Sequence, residues 1–164
     1  MNPPIRSKEH TEALWKALAD GTVDVIGSDH APHTLEEKKR EYPKSPAGMT
    51  GVQTTVPLML NHINNGRLDL KRLVGLLANK PAEIFKMKNK GHIKKGFDAD
   101  FTIVDMKKKE TILNSWIASR SGWTPYDQMQ VTGWPVATLI AGQVVMRDKQ
   151  ILGSPSGQAF QFSL

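Results

Sequence analysis

No cysteine occurs among the 164 residues. That absence removes disulfides, thiolate nucleophiles and cysteine-based zinc sites together, so any metal must be held by His, Asp or Glu and stability must come from packing. Long apolar runs are missing as well. Nothing approaches the roughly 20 consecutive apolar residues that a membrane span needs, and the start, Met1-Asn2-Pro3-Pro4-Ile5-Arg6, has no apolar secretory segment. A cytoplasmic setting with no membrane partner is the resulting expectation. Internal repeats and low-complexity tracts are also absent. The net charge of +6 raises the question of polyanions, but the basic residues are scattered. Lys38-Lys39-Arg40 is interleaved with Glu36, Glu37 and Glu41, and Lys107-Lys108-Lys109 follows an apparent strand and reads as a solvated turn. Neither run is framed by a nucleic-acid motif or by stacking aromatics, so no nucleic-acid partner is expected.

What is present is an ordinary globular composition, 39% hydrophobic and 23% charged. The length suits one domain and falls well short of the roughly 250 residues of a complete (β/α)₈ barrel. Ser7 is placed to cap a helix running to about Ala19, with Ala13, Leu14, Ala17 and Leu18 on its apolar side and Gly21 ending it. The β-branched run Val23-Asp24-Val25-Ile26-Gly27-Ser28 then predicts a buried parallel strand. Residues 30 to 51 form a polar loop rich in Pro and Gly, long enough that loop-length statistics favour a functional role. The spacing of Val52, Val56, Leu60 and Ile63 predicts a helix, which Pro57 should disturb and Asn64-Asn65-Gly66 should stop. A second helix begins at Asp69 and carries Leu70, Leu73, Val74 and Leu77; a turn at Asn79-Lys80-Pro81 precedes a short helix through Phe85. Beyond Met87 short strand-like runs (101–104, 138–140 and 144–146) separated by Gly, Asp and Lys indicate a β-rich segment, with a boundary near residue 88.

The densest chemistry lies in Ser28-Asp29-His30-Ala31-Pro32-His33, a carboxylate and two imidazoles within six residues at a strand end. Parallel α/β folds gather catalytic groups there, because the strand fixes the backbone while the loop opens to substrate. A carboxylate so placed can bind a cation and accept a proton from water that the cation has acidified. The residues alone leave two alternatives open. Asp29 could simply cap the following turn beside solvated histidines, or His30 and His33 could contribute to a zinc site, which needs at least three protein ligands.

Asn2-Pro3-Pro4-Ile5-Arg6, the helix containing Leu14-Trp15, then Ser28-Asp29-His30-Ala31-Pro32-His33-Thr34 and Pro46-Ala47-Gly48 resemble, in order and spacing, the closing third of the dihydroorotases of the amidohydrolase superfamily. Asn79-Lys80-Pro81-Ala82-Glu83-Ile84-Phe85 and Lys95-Gly96-Phe97-Asp98-Ala99-Asp100 are similar to the segments that close the barrel and enter the small β domain of these enzymes. The resemblance implies an α/β chain, the C-terminal part of a metal-dependent (β/α)₈ barrel hydrolase over residues 1–88 plus a small β-rich segment over 89–164. It implies that Asp29 is the last barrel strand's metal ligand and proton shuttle, and that His33 and Asn2 bind the substrate carboxylate. Ala47 and Gly48 would meet the substrate ring amide through backbone groups, although an aromatic often stands where Ala47 does. His30 is left as structural, and Trp123, Trp134 and Phe160 as core or interface anchors of the β segment.

The same resemblance implies a parent reaction, the reversible closure of N-carbamoyl-aspartate to dihydroorotate in pyrimidine biosynthesis, with one or two zinc ions. An allantoinase-like or dihydropyrimidinase-like hydrolase is the alternative within the enzyme class, and a non-catalytic assembly module the alternative outside it. The family's other ligands, a His-x-His pair, a carbamylated lysine or aspartate and two further histidines, have no counterpart here, and no His-x-His occurs in the sequence. The chain alone is therefore expected to be inactive and not to retain zinc. A barrel strand without its neighbours exposes both edges, so self-association into a homo-oligomer or a strand-exchanged form is also expected.

Overall fold

The computed structural model describes residues 3–155 and 157–163. Helix α1 (Lys8–Asp20) starts where Ser7 Oγ accepts the His10 amide at 3.3 Å and ends at Gly21, whose φ of 95° is open to glycine. No residue of α1 is buried, and Ala13 and Leu14, expected on a covered face, are exposed. Trp15 alone carries the helix onto a core cluster.

The run 23–28 forms no strand ladder. The Ile26 amide instead donates to the Leu76 carbonyl at 3.3 Å. A barrel strand is fixed by neighbours on either side, and among the described residues no second barrel strand is available to it. After it come a one-turn helix α2 (Leu35–Lys38), then α3 (Thr55–Asn64) and α4 (Leu70–Val74). Pro57 does not disturb α3. It lies in the first turn behind the N-cap Thr54, where its missing N–H has no helical acceptor to lose, and it is buried. The expected turn at 79–81 is not formed either: α4 runs through a widened π turn (Gly75–Asn79) directly into α5 (Lys80–Ile84). Pro81 falls at the start of α5, so the residue without an N–H follows a turn whose hydrogen bonds are already rearranged.

The β-rich half is a four-stranded antiparallel sheet in sequence order, β1 (Phe101–Thr111), β2 (Gln130–Ile140), β3 (Gln143–Arg147) and β4 (Gln150–Ile151). Lys107-Lys108-Lys109 lies within β1 rather than in a turn, at the place where the register with β2 shifts between Asp105 and Lys109. Asp105 Oδ1 takes the freed amides of Lys107 and Lys108 at 2.8 and 3.1 Å. Asn64, at the end of α3, donates to the carbonyls of Met106 (3.0 Å) and Thr132 (2.9 Å). The disrupted ladder is thus satisfied by side chains.

Helix α3 lies between two cores. Met59 and Leu60 pack with Leu73, Trp15, Ile26, Val104 and Met106, whereas Leu58 packs with Ile112, Val131 and Trp134. Trp134 is buried as expected and Trp123 half-buried, but Phe160 is 53% exposed and anchors no core. The accessible surface is 11500 Å², against about 8100 Å² for a compact monomer of this mass. Ile5, Val25, Val74, Ile84, Phe85 and Ile93 contribute apolar area to that surplus. Among the described residues, no helix is long and apolar enough to cross a membrane.

Candidate functional site

Asp29 stands where the 23–28 run turns into the long loop, with a backbone φ of 42°. A left-handed conformation is uncommon for a residue with a Cβ, is tolerated best by Asp and Asn, and tends to mark functional sites. The side chain is exposed and makes no hydrogen bond to another described residue. It does not cap the turn that follows.

The loop beyond it is tightly built. Thr34 Oγ1 accepts the Glu37 amide at 3.2 Å, and Glu37 Oε2 accepts the Thr34 amide at 2.8 Å, a reciprocal capping box that starts α2. The Thr34 amide and hydroxyl, donating to Glu37 Oε2 at 2.8 and 3.1 Å, hold the Glu37 carboxyl below the usual carboxylate range, with the nearby His33 adding to the effect. Glu37 Oε2 also stands 3.7 Å from His33 Nδ1. From α2, Lys38 Nζ reaches across to the carbonyls of Pro46 (2.7 Å) and Gly48 (3.1 Å) and closes the loop on itself.

The returning arm runs beside the outgoing one. His30 and Met49 form a parallel bridge, and the Ala31 amide donates to the Met49 carbonyl at 3.1 Å. Two glycines allow this approach. A Cβ on Gly48, whose φ is 116°, would lie 2.6 Å from the Ala31 carbonyl oxygen, and one on Gly51 would lie 2.5 Å from that of Ser28. His30 Nδ1 accepts the Gly51 amide at 3.1 Å and has the Val52 amide at 3.4 Å, so the ring braces the crossing. His30 also lines a 240 Å³ pocket with Thr54, Ile117 and Ser119.

Asp29 and His33 lie on the outgoing arm and Ala47 and Gly48 on the returning one, and the two arms meet where the Ala31 amide bonds to Met49 and where Gly48 lies against Ala31. Ala47 is exposed, whereas Gly48 is buried with its carbonyl already engaged by Lys38. Asn2 lies outside the described residues. Sequence reasoning treated Glu37 and Lys38 as surface charge. The Thr34-x-x-Glu37 pattern was the available signal for the first, and nothing local signals the second. It also missed the β segment's part: Thr50 Oγ1 donates to the Trp123 carbonyl at 2.6 Å, the Trp123 indole donates to the His33 carbonyl at 2.7 Å, and Gln53 holds Trp116 and Ala118.

A metal does not fit the described residues of this chain alone. Among the described residues no group of three His, Asp or Glu could hold one, and Asp29 supplies a single carboxylate where a zinc site needs three or four ligands.

Residues 5–145 match the family model described as amidohydrolase family. Among curated relatives, the chain is 46% identical over 156 residues to the dihydroorotase of Pyrococcus furiosus, covering 95% of this chain and 36% of the relative. It is 42% identical over 153 residues to that of Bacillus pumilus, covering 93% and 36%. Among solved structures, L-hydantoinase (dihydropyrimidinase) from Arthrobacter aurescens superposes with a TM-score of 0.89 at 37% identity, covering 93% of this chain and 35% of that one. D-hydantoinase (dihydropyrimidinase) from a Thermus species gives 0.87 at 31%, covering 94% and 35%. The chain spans about a third of the length of these relatives.

Proposed function

The chain belongs to the amidohydrolase family, and on that premise we propose that it is the C-terminal part of a dihydroorotase, the zinc-dependent hydrolase that interconverts N-carbamoyl-aspartate and dihydroorotate in pyrimidine biosynthesis. Residues 1–88 complete the barrel and 89–164 belong to the small β domain. The observation that carries this reading is the geometry at Asp29: a carboxylate on left-handed backbone with no hydrogen-bond partner among the described residues, at the start of the loop that carries His33.

Asp29 would be this chain's one ligand to a zinc ion held mostly by residues outside the chain, and the ion, when bound, would supply carbonyl polarisation and acidified water. This chain's own residues do the rest. Asp29 takes the proton of the attacking water, one oxygen–carbon bond forms at the amide carbonyl, and the same proton passes to the ring nitrogen as the carbon–nitrogen bond breaks. Ring closure is the reverse. His33, with Glu37 as its anionic neighbour, faces the substrate carboxylate, and Asn2 hydrogen-bonds the same end. Ala47 offers backbone groups to the ring amide. Gly48 is left with its N–H for that task, because Lys38 occupies its carbonyl. The complete enzyme works in the cytoplasm as a homo-oligomer, and the missing part of its barrel covers the surplus apolar surface of this chain.

The solved hydantoinase structures favour a second reading, a hydrolase of cyclic amides without a ring carboxylate. Completing the chain with the upstream part of the Pyrococcus furiosus dihydroorotase and assaying dihydroorotate against dihydrouracil, hydantoin and allantoin separates the two. Turnover of dihydroorotate with loss on His33→Ala supports the first; indifference to dihydroorotate with turnover of hydantoin or dihydrouracil sinks it.

A further inference from the structure

We propose that Trp123, in the β-rich segment, is a positioning residue for His33 and so sets affinity for the carboxylated end of the substrate; this rests on the reading of His33 given above. The indole Nε1–H donates to the His33 backbone carbonyl at 2.7 Å, across 90 residues of sequence. Among the described residues it is the only hydrogen bond from the β-rich segment to residues 30–48. The His33 ring has its own neighbour, Glu37 Oε2 at 3.7 Å. His33 is therefore held at two points, ring and backbone, by residues from different parts of the fold.

Trp123 is in turn fixed before it reaches His33. Its own carbonyl accepts the hydroxyl of buried Thr50 at 2.6 Å. Just upstream, Gln53 donates to the Trp116 carbonyl at 2.7 Å and accepts the Ala118 amide at 2.9 Å. Just downstream, Asn114 Oδ1 accepts the Thr124 amide at 2.8 Å. A fully satisfied polar network of this kind rigidifies what it holds. The loop carrying Trp123 thus acts as a strut, one end pinned to the start of α3 and the other bearing on the backbone that sets the height of the His33 imidazole. Small misplacements of a binding group act mainly on affinity when the group does not join the bond changes.

The test compares Trp123→Phe, which keeps an aromatic ring and removes the donor, with Thr50→Val, which removes the tie to the Trp123 carbonyl. Both are made in the chain completed with the upstream part of the Pyrococcus furiosus relative. A two- to tenfold rise in KM for dihydroorotate is expected, with kcat changed less than about twofold and the unfolding midpoint preserved. In the 164-residue chain itself, the His33 ring resonances should shift or broaden in Trp123→Phe while those of His10 and His62 stay in place. An unchanged KM with unchanged His33 resonances overturns the proposal, as does a fall in kcat that tracks lost stability. If the completed wild-type protein does not process dihydroorotate, the functional reading fails on its own. The His33 resonances still decide whether Trp123 positions that residue.

Discussion

Lys38 Nζ donates to the carbonyls of Pro46 and Gly48 at 2.7 and 3.1 Å, so one ammonium from a one-turn helix closes the ten-residue span that follows it. Lys38→Met keeps most of the aliphatic stem and removes the charge. Amides of residues 40–48 should then lose hydrogen-exchange protection while those of α3 keep theirs. Equal protection in both proteins would show that the ammonium does not hold the loop.

Gly48 is the position where this loop tolerates a side chain least. At φ 116° with the Ala31 carbonyl 2.6 Å from any Cβ, Gly48→Ala combines backbone strain with a clash and should destabilise by about 2 kcal/mol or more. Denaturant unfolding measures this directly. Gly157→Ala, where no atom lies within 4 Å of the added Cβ, serves as the control and should be near neutral.

Asp29 separates chemistry from stability. Its side chain is exposed and makes no hydrogen bond to another described residue, so Asp29→Asn should change stability by less than about 0.5 kcal/mol. In the completed enzyme the same change should reduce kcat at least about a hundredfold through loss of the proton shuttle. A variant that unfolds without losing specific activity contradicts both halves of the assignment.

Lys90 binds Asp98 at 2.8 Å and also contacts Asp100, whose other oxygen accepts the Ala141 amide at 2.8 Å. Hydrogen bonds from Lys90 and then Ala141 lower the Asp100 pKa, and hydrogen bonds to Asp100 and then Asp98 raise that of Lys90. A depressed carboxyl stabilises the fold above its unfolded pKa of ~3.9 and loses that contribution as pH falls through the lower folded value. A raised ammonium contributes fully below its unfolded pKa of ~10.4 and loses it as pH rises through the higher folded value. The clasp should therefore be fully present from about pH 5 to 10. Asp100→Asn should lower the unfolding midpoint at pH 7 and narrow the gap to wild type as pH falls toward 3; a gap constant with pH would show that ionisation of Asp100 does not matter.

The sequence made parts of this legible because their causes are local. Ser7 and Gly21 bound α1 through a side-chain cap and a left-handed residue, and the β-branched and turn residues beyond 100 marked the sheet. The errors share a different cause. The 23–28 run has the composition of a barrel strand, but a ladder depends on neighbours that composition cannot supply. Lys107-Lys108-Lys109 reads as a turn because its charge is local, whereas Asn64, some 40 residues away, lets the chain continue as a bulged strand. At the site, the motif around Asp29 and His33 is visible, as is the Thr34-x-x-Glu37 pattern of a capping box. The contributions of Lys38 and Trp123 were not, since a lysine in a charge run and a tryptophan in a strand-rich segment carry no sign of the backbone carbonyl they will reach.

The most direct measurement is zinc content together with dihydroorotate hydrolysis, made on this chain alone and on the chain completed with the upstream part of the Pyrococcus furiosus relative. The account predicts neither property in the chain alone and both in the completed protein, each lost or weakened by Asp29→Ala. Stoichiometric zinc and turnover in the chain alone would contradict it, and the site would then have to be rebuilt from His30, His33 and carboxylates assigned here to the surface.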